Sequence, residues 1–197
     1  AVMFENERDY FYALISDGMG TGSSAAFSSG VSSLFLEKML MAGNRTATAL
    51  RMLNGVLRSR AGAREIECSA TVDLLEVDLL TGVASLIKSG AAPTYVRRTG
   101  DIFRLHSNTV PIGILNALDA HKTKLEVSVG DVIVMVSDGV IDAAEDTDGG
   151  ECGWLPDLLS HEWEDNLSRM AKKIIGRAQS VGGRDDLSVI IMRVGEY

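Results

Sequence analysis

Glu67–Arg104 reads ECSATVDLLEVDLLTGVASLIKSGAAPTYVRRTGDIFR. Short runs rich in Val, Ile, Leu, Tyr and Thr (CSATVDLLEVDL, VASLIK, TYVRR and IFRL) are separated by Thr81-Gly82, Gly90–Pro93 and Thr99-Gly100-Asp101. β-Branched and aromatic runs bounded by Gly and Pro punctuation predict strands, and connections this short predict antiparallel neighbours. Lys124–Val127 and Val132–Ser137 read as a further pair around Gly130-Asp131.

Upstream of this block, Tyr10–Ser16 (YFYALIS) predicts a strand that stops at Asp17-Gly18. Ser23–Met41 then carries Phe27, Val31, Leu34, Phe35 and Leu36 at helical spacing, up to Gly43-Asn44. Thr46 is placed to cap a second helix with Leu50, Leu53, Val56 and Leu57 on one side, so the two form a helical hairpin. Asn166–Gln179 predicts another helix, followed by Val181-Gly182-Gly183 and a last strand, Leu187–Val194. This order predicts an α+β chain, a four-layer αββα sandwich with two antiparallel sheets flanked by helices.

Composition sets bounds. The chain has 197 residues, 46% hydrophobic and 23% charged, which suits one globular domain. Net charge −8 disfavours a general grip on nucleic acid, so no nucleic-acid partner is expected. No apolar run approaches the roughly 20 residues that span a bilayer, so no membrane contact is expected from this segment. Cys68 and Cys152 fit no zinc spacing and read as ordinary thiols. The acidic stretch Asp142–Gly153, which includes Asp148, lacks the ligand alternation of an EF-hand and reads as an exposed loop.

One local pattern occurs twice. Ser16-Asp17-Gly18 and Ser137-Asp138-Gly139 both end a hydrophobic strand, and Asp185-Asp186 stands at a loop-to-strand junction. If the three junctions share a sheet edge, their carboxylates converge. Two carboxylates about 5 Å apart repel by roughly 3 kcal/mol at an effective dielectric near 20, so a cation must offset the cluster. With no His or Cys in these motifs, an all-oxygen ligand set suits magnesium or manganese. Two such ions that share a carboxylate can activate a water against a phosphoester, so phosphate hydrolysis is the leading chemistry.

Asp17-Gly18-Met19-Gly20, Ser137-Asp138-Gly139 after Gly130-Asp131, and Gly183-Arg184-Asp185-Asp186-Leu187-Ser188 resemble, in order and spacing, the metal-dependent type 2C protein phosphatases. Ser89–Arg98 and Asn108–Gly113 resemble more specifically the stage II sporulation protein E branch of that family. The resemblance implies a serine/threonine phosphatase with two Mn2+ or Mg2+ ions. Asp17 would bridge the ions, the Gly18 carbonyl would complete one coordination sphere, and Asp138 and Asp185 would hold the other ion. Asp186 would support the turn. The implied substrate is a phosphorylated anti-anti-sigma factor. The implied setting is the control of sporulation, on a cytoplasmic domain cut from a longer, membrane-anchored chain and lacking the family's first upstream strand. The 23–60 helices are expected to switch activity and to offer a homodimer contact.

Glu5, Glu7 and Asp9 read as solvated charges at a frayed terminus, and His106, His121 and His161 as surface residues. Two other functions stay open. One is a catalytically silent module of the same fold that binds a phosphoprotein. The other is a nucleotide-binding domain using Gly18–Gly22, although the dinucleotide fingerprint would need glycine where Ser23 stands.

Overall fold

The computed structural model describes residues 1–20, 22–64, 68–142, 153–180 and 186–196. The chain divides into two units, Ala1–Ala91 with Ser107–Glu126, and Ala92–His106 with Val127–Tyr197. Each unit has its own antiparallel sheet with helices on one face, so the expected α+β class and two antiparallel sheets are both present.

In the first unit, Val2–Glu5 (β1), Tyr10–Ile15 (β2), Val72–Asp78 (β3), Ala84–Ser89 (β4) and His121–Leu125 (β7 of the chain) lie in the order β1-β2-β3-β4-β7. Strand alternation sends Tyr12, Leu14, Val72, Leu74 and Ile87 to one face, where they pack with Leu36, Leu40, Leu50, Leu53 and Leu57. These last residues come from Ser23–Met41 (α1) and Thr46–Arg64 (α2). Each fully buried leucine contributes about 1.5–3 kcal/mol of transfer free energy, which makes this interface the main cohesion of the unit.

The second unit orders Asp101–Leu105 (β6), Thr94–Arg98 (β5), Val132–Val136 (β8) and Val189–Arg193 (β9) as β6-β5-β8-β9. Tyr95, Val132, Val134 and Val136 face Asp138–Asp142 (α3), Trp154–His161 (α4) and Leu167–Ser180 (α5) through Val140, Leu155, Leu159, Met170 and Ile174. Among the described residues, no helix is long and apolar enough to cross a membrane.

Several expectations need correction. The terminus is not frayed at Glu5, which pairs with Phe11 in β1, a strand the sequence reading omits. The buried stripe of α1 is Ser28, Ser32, Leu36 and Leu40, while Phe27 and Leu34 point outward. Small side chains let this helix approach its sheet, and apolar spacing alone does not report that. Val56 is likewise exposed on α2. Thr46 does not cap α2; its hydroxyl donates to the Glu76 carboxylate. Lys124–Val127 and Val132–Ser137 are not a hairpin, because β7 pairs with β4 and β8 pairs with β5 and β9. Nor does the short Gly90–Pro93 connection make β4 and β5 neighbours; they belong to different sheets. A short link fixes proximity of chain ends, but pairing follows which face each strand buries. Asp148, Cys152 and most of the acidic loop lie outside the described residues.

Candidate metal centre

The ladder between β2 and β3 continues past the last strand residue and carries Asp17 with it. The Asp17 amide donates to Thr71 Oγ1 (3.0 Å), the Thr71 amide donates to the Asp17 carbonyl (2.7 Å), and the Ser16 hydroxyl donates to the Thr71 carbonyl (2.8 Å). Gly18 then bridges Ala70, and the Met19 amide donates to the Ser69 carbonyl (3.0 Å). Alternation from Ala13 and Ile15 places the half-buried Asp17 on the sheet face away from α1 and α2, and turns Gly18 toward them. A Cβ on Gly18 would sit 1.9 Å from the Ala25 carbonyl oxygen in the first turn of α1, so only glycine fits under this helix.

One row along on the Asp17 face, the register Ile15↔Asp73↔Lys88 sets a buried ion pair. Lys88 Nζ lies 2.8 Å from Asp73 Oδ1, with 4% and 1% of the side chains exposed. Burial pulls the Lys88 ammonium below the usual lysine range, and the Asp73 charge opposes that pull.

Asp138 stands at the matching place in the second unit, with Ser137 alone between it and the end of β8, and at the start of α3. Ser137 fastens the turn to the strand leading into β9. Its amide donates to the Ser188 carbonyl (3.0 Å), its hydroxyl donates to the Asp186 carbonyl (3.0 Å), and the Ser188 amide donates back to the hydroxyl (2.9 Å). Asp138 Oδ1 accepts from the Gly139 amide (2.9 Å), and the side chain is half-buried.

Asp17 and Gly18 thus belong to the first unit and Asp138 to the second, while Asp185 lies outside the described residues. Among the described residues, no three His, Cys, Asp or Glu form a group able to hold a metal. Convergence of the three carboxylates belongs to the proposed function rather than to either unit taken singly. The donors in place do fit a hard cation. In the first unit they are the Asp17 carboxylate and backbone oxygens at a strand end, next to a segment whose Ser69 hydroxyl is buried and has no hydrogen-bond partner among the described residues. Glu5, Glu7, Asp9, His106, His121 and His161 are all exposed, and Cys68 is a buried free thiol. Sequence reasoning missed Thr71, Ala70 and Ser188, whose parts depend on strand register.

The stage II sporulation protein E (SpoIIE) family model matches residues 7–195. The chain is 27% identical over 188 residues to stage II sporulation protein E of Bacillus subtilis (strain 168), covering 93% of this chain and 22% of that protein. It therefore spans about a fifth of that relative's length. The structure of the PP2C phosphatase domain and a fragment of the regulatory domain of SpoIIE from Bacillus subtilis superposes with a TM-score of 0.86 at 25% identity. That match covers 98% of this chain and 57% of the other. RsbX, solved in complex with magnesium, shares the fold at a TM-score of 0.71 and 16% identity, over 96% of this chain and 83% of the other. The chain belongs to the SpoIIE family of metal-dependent, PP2C-type serine/threonine phosphatase domains.

Proposed function

We propose that this domain hydrolyses phosphoserine or phosphothreonine on a small regulatory protein, using two Mn2+ or Mg2+ ions held by Asp17, the Gly18 carbonyl, Asp138 and Asp185. The observation that carries the reading is the Asp17-Gly18 tip. Its backbone is tied to the 69–71 segment by hydrogen bonds at Asp17 and Met19, before and after the glycine, and the glycine is pressed under α1 so closely that no side chain fits. Such a turn holds a carboxylate and a carbonyl in fixed relation, as a ligand pair requires. Asp138 supplies a second carboxylate from an equally fastened turn, and the proposal requires that it and Asp185 meet Asp17. Bound ions would supply an activated water and neutralise phosphoryl oxygens. The protein's own part is to hold these oxygens in place, and the ions they hold would offset the repulsion between an acidic surface and a phosphorylated substrate.

The substrate class we assign is a phosphorylated anti-anti-sigma factor in the control of sporulation, with the domain working in the cytoplasm as part of a longer chain. The exposed Phe27, Leu34, Met52 and Val56 support the expected regulatory and homodimer contact on the 23–60 helices. The nucleotide-binding alternative loses ground because the Met19 amide already donates to the Ser69 carbonyl and so is not free to cradle phosphate.

The test is phosphate release from a phosphoserine peptide with and without Mn2+, alongside calorimetric Mn2+ titration. Asp17→Asn and Asp138→Asn should each lower turnover at least about 100-fold with the fold intact, since loss of a ligand exceeds the ~10–100-fold cost of losing a group that merely orients one. Wild-type protein that releases no more phosphate than these variants would return the reading to a silent binding module.

A further inference from the structure

Asn54 interrupts the apolar stripe of α2 between Leu50, Leu53 and Leu57, at 5% exposure. A polar side chain in such a place must be fully satisfied, and its partners show what it is for. Asn54 Nδ2 donates to the carbonyls of Leu115 (3.1 Å) and Asn116 (3.3 Å), and Oδ1 accepts from the Gly113 amide (2.8 Å). All three partners belong to the irregular strap 107–120 that leads into β7. Arg58, one turn further along α2, donates to the Ile114 carbonyl (2.6 Å).

The strap has two separate sets of anchors. Its ends are tied near β4: Ser89 Oγ lies 2.8 Å from the Val110 carbonyl and 2.9 Å from that of Asp119, and the Val110 amide donates to Asp119 Oδ2 (2.9 Å). Its middle is held to α2 by Asn54 and Arg58. At Gly113 (φ 96°) the strap is pressed so close to the segment leading into β3 that a Cβ would meet the Cys68 carbonyl oxygen at 2.4 Å and Leu57 Cβ at 3.1 Å. The next residue back, Ile112, exchanges both backbone hydrogen bonds with Ala70 (2.9 and 3.0 Å), and Ala70 is the residue that bridges Gly18. A series of links therefore runs from the Asn54 side-chain amide through Gly113 and Ile112 to Ala70, whose neighbours Ser69 and Thr71 hold the Met19 amide and the Asp17 carbonyl on either side of Gly18.

We propose that Asn54 is a positioning residue for the metal centre: by clamping the middle of the strap it fixes residues 69–71, and through their bonds to Asp17 and Met19 the direction of the Gly18 carbonyl. The proposal rests on the reading of Gly18 as a ligand. It assigns Asn54 to ion affinity and leaves the chemistry of phosphate release to other groups. Leucine at this site would keep the volume but leave the buried Gly113 amide unpaired and release the Leu115 and Asn116 carbonyls, letting residues 112–116 drift from Ala70.

The experiment uses the whole domain, with Mn2+ itself as probe. Asn54→Leu should raise the Mn2+ concentration for half-maximal phosphopeptide hydrolysis about 10-fold, within the range seen when an orienting group is lost, while turnover at saturating Mn2+ stays within about 3-fold. Mn2+ affinity measured by electron paramagnetic resonance should weaken by the same factor, and hydrogen exchange at the Ala70 and Ile112 amides should accelerate. Arg58→Ala, at the rim of the same clamp, should shift Mn2+ affinity about 2–3-fold in the same direction. If Asn54→Leu melts at lower temperature yet binds Mn2+ like the wild type, Asn54 only stabilises the strap and the proposal is overturned. If that variant does not fold, wild-type affinity in Arg58→Ala overturns it. Asp17→Asn separates the two levels. Undiminished Mn2+ binding there breaks the metal reading itself, whereas lost binding there with wild-type binding in both clamp variants breaks only the role of Asn54.

Discussion

The tripeptide Ser-Asp-Gly at 16–18 and again at 137–139 follows a buried strand in both places, and the chain does different things after each. At 16–18 the backbone stays extended, Gly18 adds a bridge to Ala70, and α1 begins only at Ser23. At 137–139 the aspartate is itself the first residue of α3, and the Val140 amide already donates to the Ser137 carbonyl (3.1 Å). What the two share is the serine, whose hydroxyl binds the backbone of the adjoining chain segment in each unit. The tripeptide therefore encodes a fastened carboxylate at a strand end, and the residues beyond it decide whether a carbonyl is offered beside that carboxylate. Of the two, the first site alone sets its carboxylate beside a glycine carbonyl in an extended turn, the arrangement on which the proposed ligand pair rests.

That asymmetry breaks most sharply at Gly18. In Gly18→Ala the new methyl meets backbone 1.9 Å away, which no rotamer change relieves, so α1 must move. Overpacking of this kind costs about 3 kcal/mol or more, and the displaced turn should remove nearly all Mn2+-dependent phosphate release. Gly20→Ala is the comparison: with φ 87° and open space around it, it should cost only about 1–2 kcal/mol of left-handed strain. Thermal melts and phosphopeptide assays on the pair check both expectations, and equal losses would mean that α1 does not press on Gly18.

The same contrast marks what can be read from residues alone. Strand ends at Asp17 and Asp138 are legible because a hydrophobic run halts at a Gly-containing turn, and neither feature depends on the rest of the fold. The support of Asp17 is not legible, because Thr71 matters only through the register Ile15↔Asp73, which lies in the pairing. The inward face of α1 is illegible for another reason. Ser28 and Ser32 are buried because a close helix approach needs small side chains, and a count of apolar positions selects Phe27 and Leu34 instead. The Gly130-Asp131 turn is misleading as a hairpin signal, since Asp131 is engaged by Arg98 from β5 and the strands on either side belong to different sheets.

A smaller effect sharpens the comparison at the two serines. Ser137 is 4% exposed and makes two hydrogen bonds through its hydroxyl, so Ser137→Ala leaves the Ser188 amide unpaired at a cost of about 1–3 kcal/mol. Ser16 is half-buried and donates once, so Ser16→Ala should cost about 0.5–1.5 kcal/mol. Urea unfolding of the two variants ranks them; the reverse order would show that the first turn depends more on its hydroxyl than its single bond implies.

The smallest expected effect separates the two units by their ion pairs. Lys88–Asp73 in the first unit is sealed from solvent, whereas Arg98 in the second is 38% exposed where its guanidinium grips the buried Asp131 through Nε and Nη2. The hydrogen bond from Arg98, aided by the Ser128 amide and the Arg98 charge, holds the Asp131 carboxyl below the usual aspartate range against the opposing pull of burial. Because the folded-state value is the lower one, the unfolded chain binds the proton first as pH falls. The stabilisation is present above the ordinary aspartate range, about pH 4, and is lost as pH drops through the folded value. Solvent screening of the guanidinium keeps the pair near 1 kcal/mol or less. Arg98→Ala should therefore lower the urea midpoint slightly at pH 7 and converge with the wild type once the pH has fallen below the folded-state value of Asp131. A gap that persists undiminished in acid would mean that Arg98 acts through its packing over Phe103, whose ring centre lies 6.0 Å from the guanidinium carbon, rather than through its charge.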